Sequence, residues 1–165
     1  MQIVEATESH IPGVIELWKE FSDYHRNMDP IYARSEDGPS KFGDYVKGLL
    51  GSDDSQVLVA TDRGEAVAYS IAQILKRPPV FRDIEYGFIS DLGVKSEYRR
   101  KGLGEQILNK IFEWFESRRI DRIELLVLAK NEIGVSFWKK HGFEVFLYHM
   151  SLGSAEQDSK RLGVE

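Results

Sequence analysis

Residues Asp91 to Gly104, DLGVKSEYRRKGLG, decide how this chain folds. Ile89, Leu92 and Val94 lead in as strand residues, and beyond Gly104 the apolar positions Ile107, Leu108, Ile111, Phe112 and Phe115 recur at helical spacing. The polar turn between them therefore opens a long amphipathic helix. At such a start several backbone N–H groups lack intrahelical partners and the macrodipole is positive, so the turn is predisposed to hold an anion such as a pyrophosphate. Gly102 and Gly104 let the backbone approach that anion with no Cβ in the way. Arg99, Arg100 and Lys101 stand directly before the glycines, where they can pair with phosphates or remain a solvated charge run. Two common phosphate signatures are missing: there is no G-x-x-x-x-G-K-[ST], and Ile107 occupies the third glycine position of G-x-G-x-x-G.

What the stretch does match is R/Q-x-x-G-x-G/A, through Arg99, Gly102 and Gly104. Together with SDLGV (Ser90–Val94) before it and NEIGVSFWKKHGF (Asn131–Phe143) after it, the chain resembles the GNAT N-acetyltransferase superfamily, most strongly from Ile84 to Phe143. The resemblance implies an α/β (α+β) fold, the acyl-CoA N-acyltransferase fold, with a mixed, mostly antiparallel central sheet and helices on both faces. It also implies acetyl-CoA as the cofactor. Its pyrophosphate would lie on Arg99, Arg100, Lys101, Gly102, Leu103 and Gly104, and its pantetheine arm would pair with the backbone of Leu92, Gly93 and Val94, where parallel strands splay. Asn131 would contact the arm, or serve as an ordinary helix N-cap.

The same comparison exposes a departure. The usual helix reads N-x-x-A-x-x-F-Y-x-x-x-G-F, its tyrosine acting as general acid toward the leaving sulfur, and here Trp138 holds that position. An indole N–H donates a hydrogen bond but does not deliver a proton. A thiol with pKa near ~8.5 leaves tolerably as its anion, so the substitution removes an acid without excluding activity. Tyr148 is the candidate replacement, its other reading being a core or sheet-face aromatic.

Acetyl transfer to an alkylamine, whose pKa is near ~10.4, also needs a proton acceptor. Glu85, Ser90 and Asp91 on the central strand are the candidates, Asp91 first, because relatives often carry an acidic residue just before the pantetheine-pairing strand. Asp91 can equally cap a bulge or bind the substrate as an anion. Strand alternation puts Tyr86, Phe88, Ser90 and Leu92 on one face, with Tyr86 and Ser90 lining the acceptor channel, and a bulge would shift that register.

The 165 residues, 42% hydrophobic and 30% charged, make one domain able to bury about two thirds of its unfolded surface. There is no cysteine, which excludes disulfides, a thiolate nucleophile and cysteine-ligated zinc. The histidines, His10, His25, His141 and His149, show no ligand spacing, so no metal site is expected. A formal charge of −5 and a pI near 5.5 argue against nucleic-acid binding and mildly favour a cationic amine. MQIVEATESH has no basic or apolar leader character, and no run approaches the ~18 apolar residues of a membrane span. The expectation is a cytoplasmic enzyme with no membrane partner and a small-molecule or protein amine as acceptor; relatives often dimerise, so a homodimer is among the expectations.

Along the chain, Gln2–Ala6 is expected to be an edge strand, with Thr7 or Ser9 capping a helix whose face is Ile11, Val14, Ile15, Trp18 and Phe21. From Asp23 to Lys41 the pattern breaks into a long polar connection. By resemblance this segment walls the acceptor pocket, making Tyr24, Asp29 and Tyr32 candidate substrate contacts, against the alternative of a solvated loop. A second helix is expected over Phe42–Leu50, a hairpin over Gln56–Thr61 and Glu65–Lys76, and a break at Arg77–Asp83. Strands are expected at Ile84–Val94, Asp121–Ala129 and Phe143–Leu152, with helices between. Residues 1–152 are expected to form the single domain and 153–165 a polar C-terminal tail.

Overall fold

The computed structural model describes residues 1–82 and 84–153; Asp83 and most of the expected C-terminal tail lie outside the described residues. The chain divides into two compact units, Met1–Phe21 with Ser35–Leu126, and Ser22–Arg34 with the chain from Val127 onward.

The first unit is built on a five-stranded sheet whose strands, β1 (Gln2–Glu5), β2 (Ser55–Asp62), β3 (Glu65–Lys76), β4 (Glu85–Val94) and β5 (Ile123–Leu125), lie side by side in chain order. The first three pairings are antiparallel and the last, β4 with β5, is parallel. β2 and β3 join through Arg63 and Gly64, whose φ values of 50° and 85° give the two-residue turn that matches strand twist. Helices α1 (Ile11–Met28) and α2 (Gly38–Leu49) cover one face. Val14 and Leu17 of α1 and Phe42 and Val46 of α2 form a buried core with Val57, Val59, Tyr69 and Ile71, and Trp18 stacks on Phe42 at 4.5 Å. On the opposite face lies α3 (Leu103–Ser117), which buries Leu103, Ile107, Leu108, Ile111 and Phe115. These are the residues whose 3.6-residue spacing marks the helix in the sequence.

In the second unit, α4 (Glu132–Lys140) is capped by Asn131 and ends at His141 and Gly142, the latter with φ 87°. Trp138 packs edge-on against Phe137 and Phe143, with ring centroids 5.0 and 5.3 Å apart.

Three expectations are corrected. Helix α1 runs on to Met28 rather than breaking at Asp23, and the supposed loop contains a short 3-10 turn at Pro30–Tyr32 before α2 begins at Gly38. An Asp23–Arg26 pair at i,i+3 supports the longer helix, and Pro30 ends it. The strand expected at Asp121–Ala129 shrinks to Ile123–Leu125. Phe143–Leu152 forms no strand, and Tyr148 on it is 83% exposed. Alternation in a sequence marks a face, but a strand forms only where another edge satisfies its backbone groups. Among the described residues no ladder extends beyond Leu125. No described helix is long and apolar enough to cross a membrane.

Candidate active site

The β3–β4 ladder contains the feature that shapes the site. Ile71 pairs with Asp91 and Ala72 with Ile89, so one step along β3 spans two residues of β4 and Ser90 is the extra one. The bulge changes which side chains share a face. Tyr86 and Phe88 face the same side as Gln73 and Leu75, and beyond the bulge it is Asp91 and Gly93 that join them, opposite Ile71 and Tyr69. Leu92 is thereby turned to the α3 side, opposite Ser70, and not onto the face of Tyr86 as simple alternation requires.

On the α1/α2 face a polar group gathers at the bulge. Tyr69, fully buried, donates from its hydroxyl to Asp91 Oδ1 at 3.2 Å. Burial, reinforced by the neighbouring Asp91 charge and by that hydrogen bond, pushes the Tyr69 phenol well above its usual range, so it stays a proton donor. Beside this pair, Gln73 Oε1 accepts from Tyr45 Oη of α2 at 2.9 Å and from Ser90 Oγ at 3.0 Å. Burial also raises the Tyr45 phenol, with Ser90 opposing the shift and the Asp91 charge adding to it. Three elements, α2, β3 and the bulged β4, therefore set one carboxylate and three hydroxyls in two adjacent hydrogen-bonded groups.

The other half of the site is backbone. The β4–β5 ladder stops at Ile89 and Leu125, while β4 continues to Val94 paired to β3 alone. From Ser90 onward, the edge of β4 that faced β5 has, among the described residues, no strand paired to it. The chain then turns through Ser96–Tyr98, tied down by Lys95 N–H to Val67 O at 2.9 Å and by Tyr98 Oη donating to Asp62 Oδ2 at 2.8 Å. Arg99 folds back: its Nε donates to Val94 O at 2.8 Å and its guanidinium lies 5.9 Å from the Phe21 ring centre. The side chain of Arg99 thus braces the turn, and the exposed cations are those of Arg100 and Lys101. Gly102, with φ 79°, enters α3 in the left-handed region, and no side chain caps the helix start.

The remaining candidates separate. Glu85 lies at the opposite end of β4 on the α3 face, opposite Lys76, whose Nζ is 3.5 Å away, so it does not join Asp91. Tyr86 shares the Asp91 face, with the Arg77 guanidinium 4.2 Å from its ring centre; Glu124 holds both Arg77 and Arg122. In the second unit Asp29 caps the 3-10 turn through Ile31 N–H at 3.2 Å and pairs with Lys130 at 3.8 Å, while Tyr32 is 45% exposed. Asn131 Oδ1 accepts from Gly134 N–H at 3.0 Å and from Tyr24 Oη at 3.3 Å, which is the capping role the sequence left open. Tyr148 stands on the chain without regular structure rather than in a sheet. Sequence reasoning missed Tyr45, Tyr69 and Gln73. The available signal was Gln73 itself, an amide inside the apolar run from Val67 to Leu75.

A mixed sheet whose parallel pair ends early, followed by a glycine-entered helix, is the frame of the acyl-CoA N-acyltransferases. The chain belongs to the acetyltransferase (GNAT) family, whose sequence model matches residues 14–143. An uncharacterised N-acetyltransferase of Methanocaldococcus jannaschii is 28% identical over 148 residues, covering 86% of this chain and 60% of that protein. Some curated relatives are longer; the chain spans 26%, 52% and 60% of the length of three of them. Among solved structures, a tetramutant of the BH1408 protein of Bacillus halodurans superposes with a TM-score of 0.82 at 28% identity, covering 93% of this chain and all of that one. An aminoglycoside N-acetyltransferase solved with CoA shares the fold, with a TM-score of 0.69 at 16% identity and 93% of each chain covered.

Proposed function

We propose that this chain is an acetyl-CoA-dependent N-acetyltransferase that moves the acetyl group directly to a primary amine of a small molecule or protein. The observation that carries the reading is the early end of the β4–β5 ladder immediately ahead of an uncapped helix start. The residues present fit an acyl-CoA. A Cβ at Gly102 would meet only the tip of Gln106, 3.8 Å away, so the space above the helix start is open, and Arg100 and Lys101 flank it with positive charge. The backbone of Leu92, Gly93 and Val94 is the edge on which an extended arm would pair as an added strand.

Acetyl-CoA, when bound, supplies a thioester carbon for the amine and a thiolate that leaves as the C–S bond breaks. The chain's own residues do the rest. The amides of Leu103 and Gly104 at the start of α3 hold the diphosphate, and Asp91 accepts the proton that an ammonium must lose before it can attack. Tyr69, held neutral by burial, keeps the Asp91 carboxylate oriented. Trp138 offers an indole N–H and no transferable proton, so the leaving sulfur would depart as its anion, which a thiol pKa near ~8.5 permits, and the proton left on the acetylated nitrogen would pass to water.

Calorimetry with acetyl-CoA, paired with an acetylation assay over a panel of amines, tests this. Gly102→Val forces a β-branched side chain into left-handed backbone, at a cost of about 1–2 kcal/mol, and closes the approach to the helix start. We expect acetyl-CoA affinity to fall at least about 100-fold, and affinity kept within threefold would overturn the reading. A second reading, a CoA-binding module without catalysis, is favoured by Trp138 alone; tight binding with no turnover of any amine would select it.

A further inference from the structure

Gln73 is a polar side chain on the site face that the reading above leaves without a task, and two hydroxyls converge on it. Its Oε1 takes two hydroxyl donors from different elements, Tyr45 Oη at 2.9 Å and Ser90 Oγ at 3.0 Å. Two O–H groups aimed at one carbonyl oxygen fix the plane of the amide and decide which end faces away. That end is Nε2, with two N–H donors and, among the described residues, no acceptor. Gln73 is half-buried, so these donors stand at the edge of the site. Asp91 lies on the same face opposite Ile71, two positions along β3, a strand distance of about 6.6 Å.

The face therefore offers an anion for the amine and, beside it, a fixed neutral donor. A plain alkylamine uses only the first. We propose that the acceptor is an amine carrying a neutral hydrogen-bond-accepting oxygen, a hydroxyl or amide carbonyl, two to four bonds from its nitrogen, and that Gln73 Nε2 selects it. A free carboxylate in the same place is disfavoured, because Asp91, two positions along the face, repels it. The inference rests on the acetyltransferase reading and specifies its acceptor.

The test compares kcat/KM for 3-amino-1-propanol, butylamine and 3-aminopropanoate at saturating acetyl-CoA. The first two have similar shape and differ in the oxygen, whose inductive pull lowers the amine's basicity, so kcat/KM is compared per neutral amine. We expect the amino alcohol to lead butylamine by about tenfold, the yield of roughly one net hydrogen bond, and to lead the carboxylate as well. Gln73→Met, of similar size without the amide, should bring the first ratio to within about twofold of one, its fold checked by thermal melting. A wild-type ratio near one overturns the role of Gln73 without any variant, as does a ratio that Gln73→Met leaves unchanged. A carboxylate preferred over the alcohol overturns the neutral-oxygen assignment. Acetyl-CoA binding with no turnover of any amine instead overturns the acetyltransferase reading beneath it.

Discussion

The two halves of β4 have the same backbone and opposite duties. From Gly87 to Ile89 the strand lies between β3 and β5, and Gly87 sits under the buried ring of Phe115. From Ser90 to Val94 it has β3 on one side only, carries a bulge, and turns a carboxylate toward α1 and α2. The first half satisfies its peptide groups within the sheet. The second leaves an edge, and an edge placed before a helix start is where a ligand can complete the sheet. One extra residue, Ser90, separates the two regimes. It brings Asp91 onto the face of Tyr86 and Gln73 and sends Leu92 to the other side.

If this division holds, the two halves respond differently to substitution. The largest effect is expected at Asp91. Asp91→Asn keeps the Tyr69 hydrogen bond within reach but removes the proton acceptor, so kcat/KM for amines should fall by about 10²- to 10⁴-fold, with acetyl-CoA affinity nearly unchanged. Steady-state kinetics beside calorimetry would show it. A loss below threefold would return Asp91 to a purely structural role at the bulge.

Next come the two glycines of β4, at neither of which a Cβ fits. A methyl at Gly87 would lie 2.6 Å from the Phe115 ring, and one at Gly93 would lie 2.5 Å from Phe21 and 2.9 Å from Tyr69. Each alanine substitution should cost about 1–3 kcal/mol by overpacking. Only Gly93→Ala moves Tyr69, and with it Asp91, so it should also lower kcat per folded molecule by about tenfold, while Gly87→Ala leaves kcat alone. Equal kcat in both variants would erase the distinction between the halves. Denaturant unfolding supplies the stability difference, and kinetics normalised to folded protein supply the rest.

How much of this was legible in the sequence follows from how local each signal is. The glycine turn and α3 were readable because Gly102, Gly104 and the Ile107–Phe115 spacing lie within two dozen residues of one another. The hairpin was marked by its turn residues. A bulge was raised as something that would shift the register, but its place was not readable, because register is a property of two strands and only the pairing reveals that Ser90 is extra. Tyr45, Tyr69 and Gln73 were missed for the same reason. Each has an ordinary reading in its own segment, and only folding brings Tyr45 to Gln73, 28 positions away, and Tyr69 to Asp91, 22 away. The strand expected at Phe143–Leu152 failed in the reverse sense: its apolar and aromatic residues were real, but such a run names no partner.

The smallest effect, and the one that separates the halves without any ligand, is a slope. Tyr69 is held neutral by burial and by the Asp91 charge to which it donates, so its folded pKa stands well above the value near ~10 of a phenol in the unfolded chain. Once pH passes ~10, the unfolded state loses a proton that the folded state keeps. The unfolded state then binds fewer protons, and stability falls as pH rises. This contribution is fully present below pH ~10 and is lost toward the folded pKa, at up to about 1.4 kcal/mol per pH unit from this one group. Urea unfolding of Tyr69→Phe between pH 8 and 11 should start about 1 kcal/mol lower than wild type, for the lost hydrogen bond, and then decline less steeply. Gly87→Ala, acting through packing on the other half of the strand, should displace the wild-type curve downward without changing its slope. Parallel curves for all three proteins would mean that the Tyr69–Asp91 pair carries no more of the fold's charge balance than the sealed half does.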